Sequence, residues 1–145
     1  MRKLVIAISM VAVAGSAAFA DPILDRQALM KERGKLVGGL SKVVKGEEPF
    51  DAAAVLTQLQ ALQVNAEKFD VDALFPKGSE AGDTTAAPKI WEDMAGFKAA
   101  EDKYLAGVKA AVAAAPGDVD ALKAQIGTIG PDCGACHQGY RVKKS

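Results

Sequence analysis

The sequence is poor in aromatic residues, cysteine and histidine. Only 6% of its 145 residues are Phe, Tyr or Trp, although half are hydrophobic. Alanine dominates the apolar residues, which favours helices over the β-branched and aromatic content typical of sheet proteins. One His and two Cys exclude a zinc site made entirely of Cys and His, and any site that needs two imidazoles. We therefore expect an all-α protein whose chemistry depends on very few side chains.

An excess of charge of one sign is also absent. The chain has 18 Lys and Arg against 18 Asp and Glu, so it lacks the basic surface with which proteins bind nucleic acid. We therefore expect no nucleic-acid partner.

The length of the chain suits one domain, and the sequence contains no internal repeat.

The first 20 residues have the composition of a secretory signal peptide. Two basic residues precede an apolar run over residues 4–14, and an A-x-A pattern ends at Ala20. The alternative is a membrane anchor, but the run is shorter than the ~20 residues that a span requires. We predict that residues 1–20 are cleaved and that residues 21–145 form the mature domain. The mature protein would be periplasmic, without a membrane span.

Apolar residues recur at helical spacing in four stretches of the mature chain. The stretches run over residues 22–45, from Asp51 to 69, from Pro88 to the Pro116-Gly117 pair, and from Asp118 to 140. Asp51 and Asp118 are suited to cap the second and fourth helices, and Pro88 suits the first turn of the third. Residues 70–87 interrupt the pattern with Pro and Gly, which predicts a crossover between helices.

Four amphipathic helices of this length predict an antiparallel four-helix bundle. The expected core stripe of each helix steps by three, four or seven residues along the sequence. The stripes are Ile23, Met30, Val37 and Val44; Val55, Leu59, Leu62, Ala66 and Phe69; Ile90, Met94, Phe97, Tyr104, Val108 and Val112; and Val119, Leu122, Ile126, Ile129, Cys133, Cys136 and Tyr140. Both cysteines therefore continue an apolar face.

The two cysteines and the histidine form one motif, Cys133-Gly134-Ala135-Cys136-His137, which is the C-x-x-C-H signature of c-type haem attachment. Residues three apart share a helix face, so both thiols can reach the vinyl groups of one porphyrin while the adjacent imidazole faces the iron. We predict one haem c bound covalently by Cys133 and Cys136, with His137 as the proximal iron ligand. Bundles build cofactor sites from side chains that face the core, so the haem would lie beside the C-terminal helix.

Three other interpretations of the motif remain. A redox-active C-x-x-C pair normally lies between a strand and a helix, and no strand is predicted here. A disulfide between Cys133 and Cys136 would close too small a loop to stabilise the fold much. A metal site of two Cys and one His would need another group to complete its shell.

The motif and the helical pattern together resemble the class II c-type cytochromes, the family of cytochrome c prime and its low-spin relatives. The similar segments are residues 26–30, 45–51, 88–91 and 133–141, of which the last is the most specific. The resemblance implies a haem protein with redox partner proteins, not an enzyme. Family members commonly form homodimers through their first two helices, so a homodimer is expected here.

The resemblance also places Met30 on the distal side of the haem, where it could be the sixth iron ligand. Since Met1 and Met10 lie in the predicted signal peptide, the other remaining methionine is Met94, which we interpret as a core side chain. Ligation by Met and His raises the haem potential and suits electron transfer. Five-coordinate relatives instead bind small gases such as nitric oxide, and the sequence is compatible with both. The lack of aromatic residues in the first helix favours ligation by Met30.

Other site residues also follow from the resemblance. It implies that Arg26 and Gln27 lie near the haem propionates, where a guanidinium can pair with carboxylates; the alternative for Arg26 is a solvated surface position. Arg141, four residues after His137, is expected to influence the proximal side. Trp91 and Tyr140 are expected to pack in the core.

Overall fold

The computed structural model describes residues 21–143, so the predicted signal peptide lies outside the described residues. The helices are α1 (Pro22–Val44), α2 (Ala52–Glu67), α3 (Val71–Leu74), α4 (Lys89–Glu92), α5 (Met94–Ala114) and α6 (Val119–Tyr140). Within residues 21–143, extended pairing is limited to an isolated antiparallel bridge between Ala86 and Arg141. In the same range, no helix has the length and apolar character needed to cross a membrane.

The four long helices, α1, α2, α5 and α6, form the predicted antiparallel bundle. α1 packs on α2 and α6, and α5 packs on the same two helices. Gln58 Nε2 donates to the carbonyl of Leu36 at 3.1 Å, whereas Asn65, further along α2, donates to the earlier carbonyl of Leu29 at 3.0 Å. This opposite order shows that α1 and α2 run in opposite directions. The all-α, four-helix prediction is confirmed.

Aspartate side chains cap the N-termini of the four long helices. The Asp51 carboxylate accepts from the Ala54 N–H at 2.7 Å, and the Asp118 carboxylate accepts from the Ala121 N–H at 2.8 Å. Each satisfies a donor that the first turn of a helix leaves unpaired. The two caps expected from the sequence are therefore present, and Asp21 caps α1 in the same way.

The predicted third helix is in fact two helices, α4 and α5, separated at Asp93. The backbone of Asp93 leaves the helical region (φ −133°, ψ 55°), and its carboxylate caps α5 through the Gly96 N–H at 3.1 Å. A Cβ at Gly96 would lie 2.6 Å from the Tyr140 hydroxyl, so glycine allows α6 to approach the start of α5. The apolar stripe continues across the break, which is why periodicity alone predicts a single helix.

Buried apolar residues form two clusters. The bundle cluster comprises Leu40, Val43, Val55, Leu59, Leu62, Ala66, Tyr104, Val108, Ala111, Leu122 and Ile129. The end cluster comprises Phe69, Val71, Leu74, Phe75, Ile90 and Phe97, with Met30, Trp91, Met94, Cys136 and Tyr140 packed against it. The end cluster lies where α1 and α5 begin and α6 ends, and it surrounds the candidate site.

Two details of the predicted core are wrong. Val119 is 37% exposed, because it lies at the first turn of α6, outside the packed part of the bundle. In α1, the predicted stripe from Ile23 to Val44 is half-buried, whereas Leu40 and Val43, which flank it in the sequence, are buried. The sequence pattern did not predict that Arg26 and Arg33 are also buried. Burial of these two arginines is compatible with folding because their guanidinium groups are paired with acceptors.

Candidate haem site

A cavity of about 360 Å³ opens in the end cluster, within the size range of cofactor and ligand sites. The structure brings Met30 from α1 and Cys136 and His137 from α6 into the wall of this one cavity. Cys133 packs instead against the bundle cluster, with its Sγ 3.8 Å from the carbonyl oxygen of Ile129. Because α6 continues through the whole motif, the two cysteines stay one turn apart on the core side of the helix.

The local environment suits a neutral imidazole. His137 is exposed as a residue, yet partial desolvation by its neighbours, with the positive charges of Arg141 and Arg33, lowers its pKa. The unprotonated ring nitrogen is the form that binds iron. Arg141 thus lies close enough to His137 to lower its pKa, and its role on the proximal side stays a prediction.

The pKa values of the two thiols are shifted in the opposite direction from those of a redox-active cysteine pair. Burial raises the pKa of Cys136 to about 11 and also raises the pKa of Cys133. Reactive C-x-x-C cysteines have lowered pKa values, so the site disfavours thiol–disulfide chemistry. Both cysteines are free, and residues 21–143 contain no cluster of three or more His, Cys, Asp or Glu that could hold a metal ion.

Aromatic rings supply the apolar wall. Phe69, Phe75 and Phe97 line the cavity, and the Phe75 and Phe97 rings meet edge-to-face with centroids 4.8 Å apart. Such a wall fits the flat apolar face of a porphyrin. In the sequence, the lack of aromatic residues in the first helix favours ligation by Met30. The phenylalanines in the cavity wall weaken that inference, because they reach the cavity from outside α1.

The charged part of the wall is cationic. Arg26, Lys31 and Arg141 line the cavity, and among residues 21–143 no carboxylate does. Cationic donors of this kind fit an anionic group such as a haem propionate. Thiols, imidazole, apolar rings and cations together are the donor set that a covalently bound haem requires.

Arg26 is not a surface residue. It is 4% exposed, and its guanidinium donates to the Leu74 carbonyl, to the hydroxyl and carbonyl of Ser79, and to the Thr84 hydroxyl at 2.7–3.0 Å. It also lies over the Phe75 ring, 4.7 Å from the centroid. Arg26 therefore fixes the crossover over the cavity. Its role toward a propionate, with Gln27 beside it in the wall, stays a prediction.

Replacing Arg26 by methionine should destabilise the fold by about 2–3 kcal/mol, because several buried acceptors lose their donor. The crossover, residues 70–87, should also be cleaved faster by proteases. Denaturant unfolding and limited proteolysis measure the two effects. A variant with wild-type stability would show that these hydrogen bonds do not hold the crossover.

The C-terminal end of α6 is fastened to the same region. Tyr140 donates its hydroxyl proton to Asp93 Oδ2 at 2.8 Å, and its ring packs edge-to-face on Phe97. The Tyr140 carbonyl accepts from the Ala87 N–H at 3.0 Å, and the Thr85 carbonyl accepts from the Val142 N–H at 2.9 Å. Trp91 donates to the Phe75 carbonyl at 3.0 Å, so both aromatics pack as expected and also position the crossover.

The Tyr140–Asp93 hydrogen bond should make stability depend on pH. The Tyr140 hydroxyl, with the Gly96 N–H, lowers the pKa of Asp93, so the stabilisation is present above the ordinary carboxyl pKa and is lost as the pH falls through the folded-state pKa. Tyr140→Phe should therefore melt slightly below the wild type at neutral pH, with a difference that shrinks in acid. A Tm difference that is constant between pH 7 and pH 3 would contradict this.

Sequence reasoning missed a buried polar network next to the site. Arg33, Asn65 and Glu101 are 7%, 1% and 7% exposed. Glu101 lies four residues after Phe97 and three before Tyr104, on the buried face of α5. A glutamate within an apolar stripe indicates a buried charge that needs a partner. The sequence does not identify that partner, Arg33, which lies 68 residues away in the chain.

Comparisons with known proteins agree with this site. A family model described as Cytochrome C' matches residues 21–141. The chain belongs to the cytochrome c′ family. It is 41% identical to a cytochrome c-556 of Agrobacterium fabrum over 90% of this chain and 88% of the relative. It is also 41% identical to a cytochrome c′ of Rhodopseudomonas palustris over 86% of this chain and 84% of the relative.

Solved structures of cytochrome c′ proteins have the same fold. Cytochrome c′ from Rhodobacter sphaeroides aligns with a TM-score of 0.80 and 29% identity, over 88% of this chain and all of that one. A nitric oxide complex of a mutant cytochrome c prime from Alcaligenes xylosoxidans aligns with a TM-score of 0.77 and 35% identity, over 88% and 98%. Members of the cytochrome c′ family bind one covalently attached haem c, which confirms the cofactor and the family predicted from the sequence.

Proposed function

We propose that this monohaem cytochrome is a periplasmic electron carrier. Its haem would be attached at Cys133 and Cys136, with His137 and Met30 as the two axial iron ligands. The observation that carries the proposal is the position of Met30 and His137 in the wall of one cavity, on the adjacent helices α1 and α6. Haem iron held by His and Met supplies a raised reduction potential and reversible one-electron chemistry.

The chain's own residues would hold and shield the cofactor. The phenylalanine side chains would pack against the porphyrin and shield its apolar face from water, which favours the reduced state of the iron. Arg26, Lys31 and Arg141 supply positive charge for the propionates. The surroundings of His137 lower its pKa, which favours the unprotonated ring, and the crossover fixed by Arg26 would cover the distal region.

Gas binding is the second candidate function. One solved neighbour is a nitric oxide complex of a cytochrome c prime, and a five-coordinate iron in this chain would bind the same kind of ligand. Met30, which is half-buried, would then contact the gas without bonding to the iron. The thiol–disulfide alternative is disfavoured by the raised thiol pKa values.

The proposal extends to export and partners. Cleavage of residues 1–20 would release the mature domain into the periplasm, where redox proteins would exchange electrons with it. The proposed homodimer would form through α1 and α2, as the family resemblance implies.

Absorption spectra of the purified protein, oxidised and reduced, with and without carbon monoxide, test the function. A low-spin spectrum that carbon monoxide does not change supports the electron carrier. A high-spin spectrum that carbon monoxide shifts supports gas binding instead. A protein that carries no haem and gains two protons on reduction would be a thiol–disulfide protein.

A further inference from the structure

An ion pair inside the bundle has no part in the proposed function. The Arg33 guanidinium donates from Nη1 and Nη2 to the two oxygens of Glu101 at 3.0 and 2.6 Å. Both side chains are below 10% exposure. The pair joins α1 to α5, which lie opposite each other in the bundle. A buried ion pair contributes little net stability compared with apolar residues of similar size. Stability alone therefore does not explain why Arg33 and Glu101 are buried in the bundle.

The pair is connected to the cavity wall. Arg33 follows Met30 by three residues and so lies on the same side of α1. Its guanidinium is 4.9 Å from the ring centroid of Phe69, which lines the cavity. Its Nε donates to Asn65 at 3.0 Å, and Asn65 donates to the carbonyl of Leu29, the residue before Met30, at 3.0 Å. The network therefore borders the cofactor site.

The pair lies close enough to the site for its charges to act on a bound cofactor. The Arg33 guanidinium contacts Phe69, which lines the cavity, and the side chains of Arg33 and Glu101 are both below 10% exposure. Water and salt screen charges weakly at buried positions.

We propose that the charges of Arg33 and Glu101 shift the reduction potential of the haem in opposite directions, so that the intact buried pair holds the potential near the value of an interior without either charge. Reduction adds one negative charge to the cofactor, so an unpaired cation nearby favours the reduced state and an added anion favours the oxidised state. Both residues are positioning residues, since neither lines the cavity. The proposal requires the haem but does not depend on ligation by Met30.

Glu101→Gln tests the pair because glutamine keeps the size of the side chain and removes its charge. The variant leaves the cationic guanidinium of Arg33 without its anionic partner, so the holoprotein should have a more positive midpoint potential than the wild type. Arg33→Met combined with Glu101→Gln removes both charges and should bring the potential back toward the wild-type value. Potentiometric titration followed by absorbance measures all three proteins.

Asn65→Asp should shift the midpoint potential in the opposite direction from Glu101→Gln. It provides a second test of the proposal if Glu101→Gln does not fold. It places a carboxylate 3.0 Å from Arg33 Nε and should make the potential more negative. The substitution also removes the two hydrogen bonds that the Asn65 amide donates, to the exposed Glu32 carboxylate and to the Leu29 carbonyl. The matched control is Glu48→Gln, the same substitution in the exposed Lys42–Glu48 pair, which should leave the potential unchanged.

Opposite shifts for Glu101→Gln and Asn65→Asp, with recovery in the double variant, would support the proposal. Unchanged potentials in folded, haem-loaded variants would overturn it, even if their Tm values fall. Equal shifts in Glu101→Gln and the double variant would also overturn it, because a packing change and not a charge would then be responsible. The mass of each variant shows whether haem is attached, which separates this test from the attachment hypothesis.

Discussion

Replacing Met30 by alanine is expected to convert a low-spin haem protein into a high-spin one. The thioether is the ligand that the proposed function assigns to the sixth iron position, and the cavity wall holds no second imidazole that could replace it. Loss of Met ligation should also lower the reduction potential and allow carbon monoxide to bind. Absorption spectra and potentiometry of the oxidised and reduced variant measure these changes.

Met94 provides the matched control. It packs against the same end cluster as Met30 but does not line the cavity. Met94→Ala should cost about 2 kcal/mol of stability as a truncated, partly buried side chain and leave the spectrum unchanged. A wild-type protein that is already high-spin would refute ligation by Met30, and the gas-binding function would replace the electron-carrier proposal.

Most of the fold could be predicted because its signals are local. Helical periodicity identified the four long helices, and aspartates beside that pattern identified two N-caps that the structure confirms. The haem motif is equally local, since Cys133, Cys136 and His137 lie within one and a half turns of α6. Met30 lines the same cavity as part of that motif because α1 packs against α6 in the antiparallel bundle. This packing is a long-range property, and only the family resemblance predicted the position of Met30 near the haem.

The remaining features depend on contacts between distant parts of the chain. Arg33 pairs with Glu101 across 68 residues, and nothing near either residue predicts the other. Arg26 was compatible with a surface position until the structure placed its acceptors in the crossover. At the break between α4 and α5, Asp93 accepts a hydrogen bond from Tyr140, 47 residues away, and the sequence near Asp93 does not predict this contact.

Removing both cysteines that are proposed to bind the haem is expected to have the largest effect on the fold. The end cluster packs around a cavity of about 360 Å³, and an apolar cavity of this size loses packing contacts when no group fills it. Haem that binds only the folded state stabilises it. Cys133→Ala combined with Cys136→Ala should therefore give a helical but poorly packed apoprotein with features of a molten globule.

Circular dichroism distinguishes the outcomes. The double variant should keep most of its far-ultraviolet signal, lose its near-ultraviolet signal, and melt without a cooperative transition. Each single variant, Cys133→Ala or Cys136→Ala, keeps one thioether and should retain both haem mass and cooperative melting. A double variant with native near-ultraviolet signal and a wild-type Tm would show that the bundle packs without its cofactor. The apolar residues of the two clusters would then be sufficient for the fold, and the haem would contribute chemistry alone.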